Sequence, residues 1–349
     1  MEERRQPLSE LPPLSESPRV SVIVPALNEE RYIERCLRGF VGQDYPASLL
    51  QVIVAEAGSS DRTRELAEEV SREAAIEIRL VDNPGRSTPS GFNSGLAVAK
   101  GEVVVNFIAH AEPAPDFVRA NVEALRTTNA AAVGGPIETR GSERFGRAIA
   151  AAVSHPFGVG DAKFRYSYEA GYVDTIAFAA YRRECFDVLG GFSTNRVLAE
   201  DDFFNFEVRS AGGQLFLTPE VRSIYYSRST LRSLARQYFG YGRAKGRAMV
   251  EERSSIRPRH LVPAGTLVVG GALALLSPFL AGARVALAGG ALIYATLGGL
   301  SGIRAARRQE SLADSPLIAL VFPILHACYG TGTLVGSSAA VGRSLLRRS

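Results

Sequence analysis

The densest chemical signal in the chain is "AEDDFFNFEVRSAGG", where Glu200, Asp201 and Asp202 stand side by side ahead of an apolar helical face of Phe203, Phe204, Phe206 and Val208. Acids suit the first turn of a helix, because its unpaired N–H groups and dipole favour negative charge. Capping explains one or two of them without chemistry, but three in a row exceed what capping needs. A second signal is "VVVNFIAHAEPAP" (residues 103–115), an apolar run that ends on His110, Glu112 and two prolines. It reads as a buried strand delivering polar groups to its tip. Alternate residues of an extended segment share a face, so Ile108, His110 and Glu112 are expected to point the same way, with Pro113 holding Glu112 extended. An imidazole and a carboxylate so placed can hold a divalent cation, and imidazole favours manganese over magnesium.

These groups need elements to position them. From Arg19 the pattern alternates strand and helix: β-rich apolar runs at 20–28, 50–58, 76–83 and 102–110, with helical stretches at 29–42, 59–73 and 89–101 between them. This order implies an α/β fold, a Rossmann-like and mostly parallel sheet with helices on both faces. Ligands of such sheets bind beyond the carboxyl ends of the strands. Those ends carry Asn28 and Glu29, Glu56, Asp82 and Asn83, and His110 and Glu112, so one crevice gathers them. Gly58 supplies a turn there, and Ser59, Ser60 and Asp61 can cap the following helix, which by itself explains "GSSD". In "RSTPSGFNSG", Gly91 and Gly95 permit close backbone approach, and the helix start offers N–H groups to a phosphate. A plain loop-to-helix junction reads the same way.

The 349 residues include 40 Lys and Arg against 36 Asp and Glu, a formal charge of +4. No helix-turn-helix, zinc-finger or RNA-binding signature accompanies this mild charge, so nucleic acid is not an expected partner. Cys36, Cys185 and Cys328 lie far apart without metal-ligand spacing, which fits reduced thiols and a cytosolic catalytic portion. Residues 1–18 carry charges and prolines but no apolar core, and are expected to form a disordered lead-in rather than a secretory signal. The tail differs. Residues 261–282 and 285–303 hold no charged residue, and in 316–342 only His326 titrates near neutrality. Each run approaches or exceeds the ~20 residues that cross a bilayer, which makes 259–342 a membrane-embedded region. Arg253, Arg257 and Arg259 before the first run, and the arginines of 304–308 after the second, can both be cytoplasmic if those runs form a hairpin. A full crossing by the third run would put the basic tail 343–349 outside, whereas a re-entrant or interfacial helix would not, and both stay open. His326 is expected to be a hydrogen-bonded intramembrane residue rather than a ligand. Between the regions, 231–258 places Leu231, Leu234, Ala235 and Tyr238 on one helical face and Arg232, Arg236 and Arg243 elsewhere. That is an amphipathic interfacial helix, or a surface helix packed on the domain.

"VSVIVPALNEERYIERCL", "VIVAEAGSSDRT", "EDDFFNFEVRSAGG" and "LARQYFGYG" occur in this order between Arg19 and Gly246 and together resemble the family 2 glycosyltransferases. "HPFGVGDAKFRY" and "VDTIAFAAYRRECFDVLGGF" resemble the succinoglycan-biosynthesis glucosyltransferase branch. The resemblance implies a GT-A fold over residues 19–230, a nucleotide-diphosphate sugar donor such as a UDP-hexose, and inversion at the anomeric carbon. It also implies a lipid-linked or polysaccharide acceptor at the cell membrane. By resemblance Asp201 is the catalytic base, and Glu200 orients it or the acceptor. Pro25, Asn28, Glu29, Glu56, Gly58, Ser59, Ser90 and Asn93 fall on donor-binding positions, with Glu56 where the family usually has an aspartate against the base. Asp174, Arg236 and Gln237 fall on the acceptor side. Arg209 is a partner of this site or a solvated charge, and His155 and Arg165 are phosphate contacts or exposed loop residues.

The resembling branch reads Asp-Ala-His at the strand tip where this chain reads Ile108-Ala109-His110, so the first metal ligand is missing. The expectation is a weakened, manganese-preferring site (magnesium being the alternative) on His110 and Glu112, completed by donor phosphates and water. A Rossmann dehydrogenase is disfavoured because no G-x-G-x-x-G follows the first strand. A glycosidase would pair carboxylates but has no use for a nucleotide crevice or a membrane tail. The rival from another class is a catalytically silent relative that serves as a membrane scaffold.

Overall fold

The computed structural model describes residues 7–195, 198–227, 230–251 and 256–346. Arg253, Arg347 and Arg348 of the expected basic clusters, and residues 1–6, lie outside the described residues. The chain forms two compact units: Met1–Glu138 with Tyr166–Tyr225, and Thr139–Arg165 with Tyr226–Ser349.

The first part of the chain alternates as its pattern dictates: β1 (Val20–Ala26), α1 (Ile33–Val41), β2 (Leu50–Glu56), α2 (Thr63–Glu73), β3 (Glu77–Asp82), α3 (Thr88–Leu96) and β4 (Val103–Asn106). Next come β5 (Ala111–Pro113), α4 (Phe117–Thr128), β6 (Ala132–Gly134), β7 (Ile137–Arg140), α5 (Arg144–Val153) and α6 (Pro156–Val159). They are followed by β8 (Gly171–Val173), β9 (Ala180–Arg182), α7 (Arg183–Leu189), α8 (Glu200–Ser210), β10 (Leu215–Leu217) and β11 (Ser223–Tyr226). The chain closes with α9 (Leu231–Glu251), α10 (Pro258–Leu276), α11 (Ala281–Arg308) and α12 (Ser315–Leu346).

The first unit is built on an eight-stranded sheet of order β3-β2-β1-β4-β9-β6-β10-β8. Strands β3, β2, β1 and β4 are parallel, as their helical crossovers require, and β9 enters antiparallel between β4 and β6. In this register Ala26, Glu56 and Asp82 lie side by side. The three strand ends therefore open onto one edge, as expected of the crevice. β1 and β2 read as continuous apolar runs because both faces are covered, whereas β3 is the outer strand and exposes Glu77 and Arg79.

Two sequence expectations need correction here. Residues 7–18 are not a loose lead-in. Leu8 is buried and its N–H bonds the Ala211 carbonyl at 2.9 Å, the Tyr45 hydroxyl donates to Pro18, and buried Arg182 donates to Pro12. One leucine and a row of carbonyls suffice to tie the segment down, which composition cannot register. The strand before the tip is also shorter than its apolar run. β4 stops at Asn106 and the chain turns at 108–111, the Ala111 N–H bonding the Ile108 carbonyl at 3.3 Å. The alternation that would align Ile108, His110 and Glu112 is therefore broken.

The second unit is helical and takes in α5 and α6, which sequence pattern assigns to the catalytic domain. Its core joins Ala148, Ala152, Leu234, Ala306, Phe322 and Leu325. α9 packs lengthwise on α12 through small residues that let backbones approach. A Cβ on Gly242 would lie 2.0 Å from the Tyr329 carbonyl, and one on Gly336 would lie 2.2 Å from that of Arg243. The amphipathic face of α9 thus meets a helix along its length, and Ser337 Oγ donates to the Gly246 carbonyl at 3.1 Å. His326 is hydrogen-bonded as expected, 2.7 Å from the Tyr294 hydroxyl and 2.8 Å from the Phe157 carbonyl. α10, α11 and 312–343 are each long and apolar enough to cross a membrane.

Candidate active site

The loops after β1 and β2 are stapled to each other. Asn28 takes a left-handed conformation (φ 55°), which an asparagine adopts more readily than most residues. Its N–H donates to Ser59 Oγ at 3.0 Å and its Oδ1 accepts from the Ser60 N–H at 2.9 Å. Glu29 N–H donates to Thr63 Oγ1, and Asp61 accepts from the Glu30 and Thr63 N–H groups. These donors outweigh burial and lower the Asp61 carboxyl below its usual range. Asp61 is therefore more than the cap of α2. It locks two loops together, and Pro25 is half-buried.

Glu56 is turned into the protein. Its side chain is 1% exposed and accepts from Gly58 N–H (3.1 Å), Ser59 N–H (2.6 Å) and Arg64 Nε (3.0 Å). Arg64 also bonds Asp82 Oδ1 at 2.7 Å. Burial pushes the Glu56 carboxyl up, but the donors win and it sits below the usual range. Its oxygens are engaged by its own loop and by Arg64 of α2, so it shapes the Gly58–Ser59 turn. Asn93 is likewise engaged inward: its Nδ2 donates to the Phe192 carbonyl and its Oδ1 accepts from the Phe192 N–H, both at 2.8 Å. Ser90 lies in the first turn of α3, where Ser87 Oγ caps its N–H.

At the strand tip, His110 Nδ1 lies 2.8 Å from Glu29 Oε1. The ring is half-buried, 5.5 Å from that of Tyr225 and 6.4 Å from that of Tyr32. The buried Cys36 thiol is pushed well up by burial, then by the charges of Glu29 and Glu112. With Nδ1 donating to a carboxylate, Nε2 is the ligating atom His110 has left, the orientation carboxylate-backed metal histidines use. Among the described residues no group of three His, Cys, Asp or Glu side chains is placed to hold a metal ion. These residues fit a cation that takes most of its ligands from a bound substrate.

The acids of α8 are held by the helix that bears them. Ala199 precedes it in the left-handed region (φ 60°), and the Asp202 N–H donates to Asp201 Oδ1 at 2.8 Å. Burial, with the adjacent Asp201 charge, pushes the half-buried Glu200 carboxyl up to about 8. Further along α8, Asn205 Nδ2 donates to Thr175 Oγ1 and the Ile176 carbonyl, and Arg209 Nε donates to the Asp174 carbonyl at 3.0 Å. Arg209 therefore clamps the stretch carrying Asp174 to the acid helix. Sequence reading did not single out Arg64, Thr63 or Asn205. The one available signal was a lone asparagine inside the apolar "FFNF". Arg236 and Gln237 lie on α9 in the other unit, where Gln237 Nε2 donates to the Tyr241 hydroxyl at 2.9 Å. His155, also there, accepts the Phe157 N–H on Nδ1, capping α6, and Arg165 stacks on Phe164.

The Glycosyl transferase family 2 profile matches residues 21–190. A glucuronosyltransferase of Methanococcus voltae, named for transfer to dolichyl N-acetyl-α-D-glucosaminyl phosphate, is 30% identical over 236 residues, 65% of this chain and 73% of the relative. The chain belongs to glycosyltransferase family 2. This family 2 enzyme is also 27% identical to the succinoglycan biosynthesis protein ExoA of Rhizobium meliloti, over 89% of the chain and 92% of ExoA. Its GT-A-like fold matches the mannosyltransferase PcManGT of Pyrobaculum calidifontis, solved with GDP-mannose and Mn2+, with a TM-score of 0.64 and 21% identity over 94% of this chain and 90% of that one.

Proposed function

We propose that the enzyme is a membrane-anchored inverting transferase that moves a hexose from a nucleotide-diphosphate donor, a UDP-hexose first, to a lipid-linked or polysaccharide acceptor. The observation that carries this reading is the acid cluster at the start of α8, where burial and the adjacent Asp201 charge push the Glu200 carboxyl up. Asp201 takes the proton of the acceptor hydroxyl as its oxygen attacks C1. The bond from C1 to the diphosphate breaks on the opposite face, and the nucleoside diphosphate leaves with the bonding pair. Such a base contributes about 10²–10⁴-fold in rate. Glu200, its carboxyl pushed up by burial and by the Asp201 charge, orients the base or the acceptor.

The donor lies along the loops that Asn28, Ser59 and Asp61 hold together, with the α3 start and Ser90 toward its phosphates. Pro25 and Gly58 let the nucleotide approach the backbone. His110 Nε2, backed by Glu29 and beside Glu112, would hold a manganese or magnesium ion, which when bound neutralises the leaving diphosphate. Asp174 is the acceptor-side residue of its unit, and Arg236 and Gln237 of α9 those of theirs. The names of the relatives support a lipid-linked or polysaccharide acceptor. The arginines flanking α10 and α11 support a hairpin anchor with its ends, and the catalytic unit, in the cytoplasm where nucleotide sugars are made. Nucleotide sugars are screened for nucleoside diphosphate release with membrane lipid extract as acceptor. Release from a UDP-hexose that depends on the extract is expected, and no release from any donor overturns the reading.

A further inference from the structure

The third apolar helix is set against the hairpin of α10 and α11 over part of its length. α12 begins beside the end of α11, where a Cβ on Gly302 would meet the Ser315 carbonyl at 2.8 Å and Ala319 at 3.1 Å. Further on His326 bonds Tyr294, and at Gly330 the helix meets Pro263 and Leu267 near the start of α10. These contacts fall on the half of the hairpin whose ends carry Arg257, Arg259, Arg304 and Arg308. In the other half Gly270, Gly271, Gly282, Gly289 and Gly290 face open space, and Leu275 and Phe279 are 77% and 82% exposed.

Beyond Tyr329, α12 turns its buried side to α9. That helix carries Arg232, Arg236, Arg243, Lys245 and Arg247, and two helices packed lengthwise share one depth. A crossing α12 would draw these cations through hydrocarbon, from which charged side chains are expelled. The earlier half of α12 is covered by α5, whose Arg144 pairs with Asp314 at 2.6 Å. What α12 leaves bare runs at helical spacing through Pro316, Leu320, Pro323, Ala327, Thr331, Leu334, Ser338 and Val341, apolar but for two hydroxyls, and widens to Val335 and Ala339 in its later half.

We propose that α12 lies in the plane of the bilayer, on the side of the hairpin's arginine ends, with α9 beside it. Its bare stripe rests at the headgroup–acyl boundary of an anionic leaflet, which the exposed Arg304, Arg307, Arg308 and Arg343 complement. Among the described residues the chain then crosses the membrane through α10 and α11 alone. This rests on the hairpin anchoring proposed above.

The test uses the full chain with Cys328→Ser, since Cys36 and Cys185 are buried. Single cysteines are placed at the hairpin turn (Phe279→Cys) and at the end of α12 (Gly342→Cys), both exposed positions. A membrane-impermeant maleimide is applied to intact and permeabilised cells. The two sites are expected to label from opposite sides. Labelling from the same side means that α12 crosses, and overturns the inference. Which of the two is outside tests the sidedness of the anchor separately. In phosphatidylglycerol-containing vesicles, spin labels at Leu320 and Val341 should report the same shallow depth, and a label at the bilayer centre or in the far leaflet also overturns it.

Discussion

His110 Nδ1 and Glu29 Oε1 lie 2.8 Å apart, so the tip of β4 is tied to the loop after β1, and the ring's second nitrogen is aimed by that bond. This contact changes what a metal test should vary. His110→Ala removes the ligating atom, and Glu29→Gln keeps the shape but weakens the ring's orientation. Manganese-dependent binding of nucleoside diphosphate should fall in both, further in His110→Ala, by about 10–100-fold for a backing carboxylate of this kind. Ile108→Asp should strengthen it. Titration calorimetry with and without manganese reads all three, and binding indifferent to the metal in every protein would remove the cation from the donor site.

Asp201→Asn keeps the side chain's size and removes its basicity. Transfer should fall at least about a hundredfold with donor binding nearly intact. Glu200→Gln mimics the protonated carboxyl and should retain most activity at neutral pH. If the two variants reverse, Glu200 is the base.

The Glu200 carboxyl also sets a pH dependence. Its pKa is raised from 4.5 to about 8, so between those values the folded enzyme holds a proton that the unfolded chain has released. The contribution is fully present below the unfolded value and is lost as pH rises through the folded one, with a slope of up to about 1.4 kcal/mol per pH unit. Wild type should therefore lose more apparent Tm than Glu200→Gln as pH rises to about 8. Parallel curves for the two proteins would mean that Glu200 ionises normally.

The parallel core was legible because β1 and β2 are apolar on both faces, and their ends bring Asn28, Glu56 and Asp82 to one edge. The acid cluster was legible because three adjacent carboxyls exceed what a helix start needs. Hydrogen-bond direction was not. Whether Glu56 or Asn93 faces a ligand or the protein depends on Arg64 and on the Phe192 backbone, which approach through tertiary folding and leave no trace in local spacing. The turn at Ile108 was hidden for a similar reason, since "NFIAHAE" carries neither glycine nor proline where the chain bends.

Asn93 offers the sharpest separation of a supporting role from a binding one. Its amide closes a two-bond ring with the Phe192 backbone, and Gly191 permits it, since a Cβ there would lie 2.2 Å from Asn93 Oδ1. Phe192 stacks on Phe92 at 4.2 Å and lies 5.0 Å from Phe204 of α8, so the ring links α3 to the helix that bears Asp201. Asn93→Ala leaves the Phe192 N–H and carbonyl unpaired, at about 1–3 kcal/mol. The expected result is a lower Tm and a lower kcat with donor KM little changed, and the same pattern in Gly191→Ala. A donor contact would give the opposite: KM raised in Asn93→Ala, Tm unmoved, and Gly191→Ala without that rise. Thermal unfolding and initial rates on both variants decide between the two.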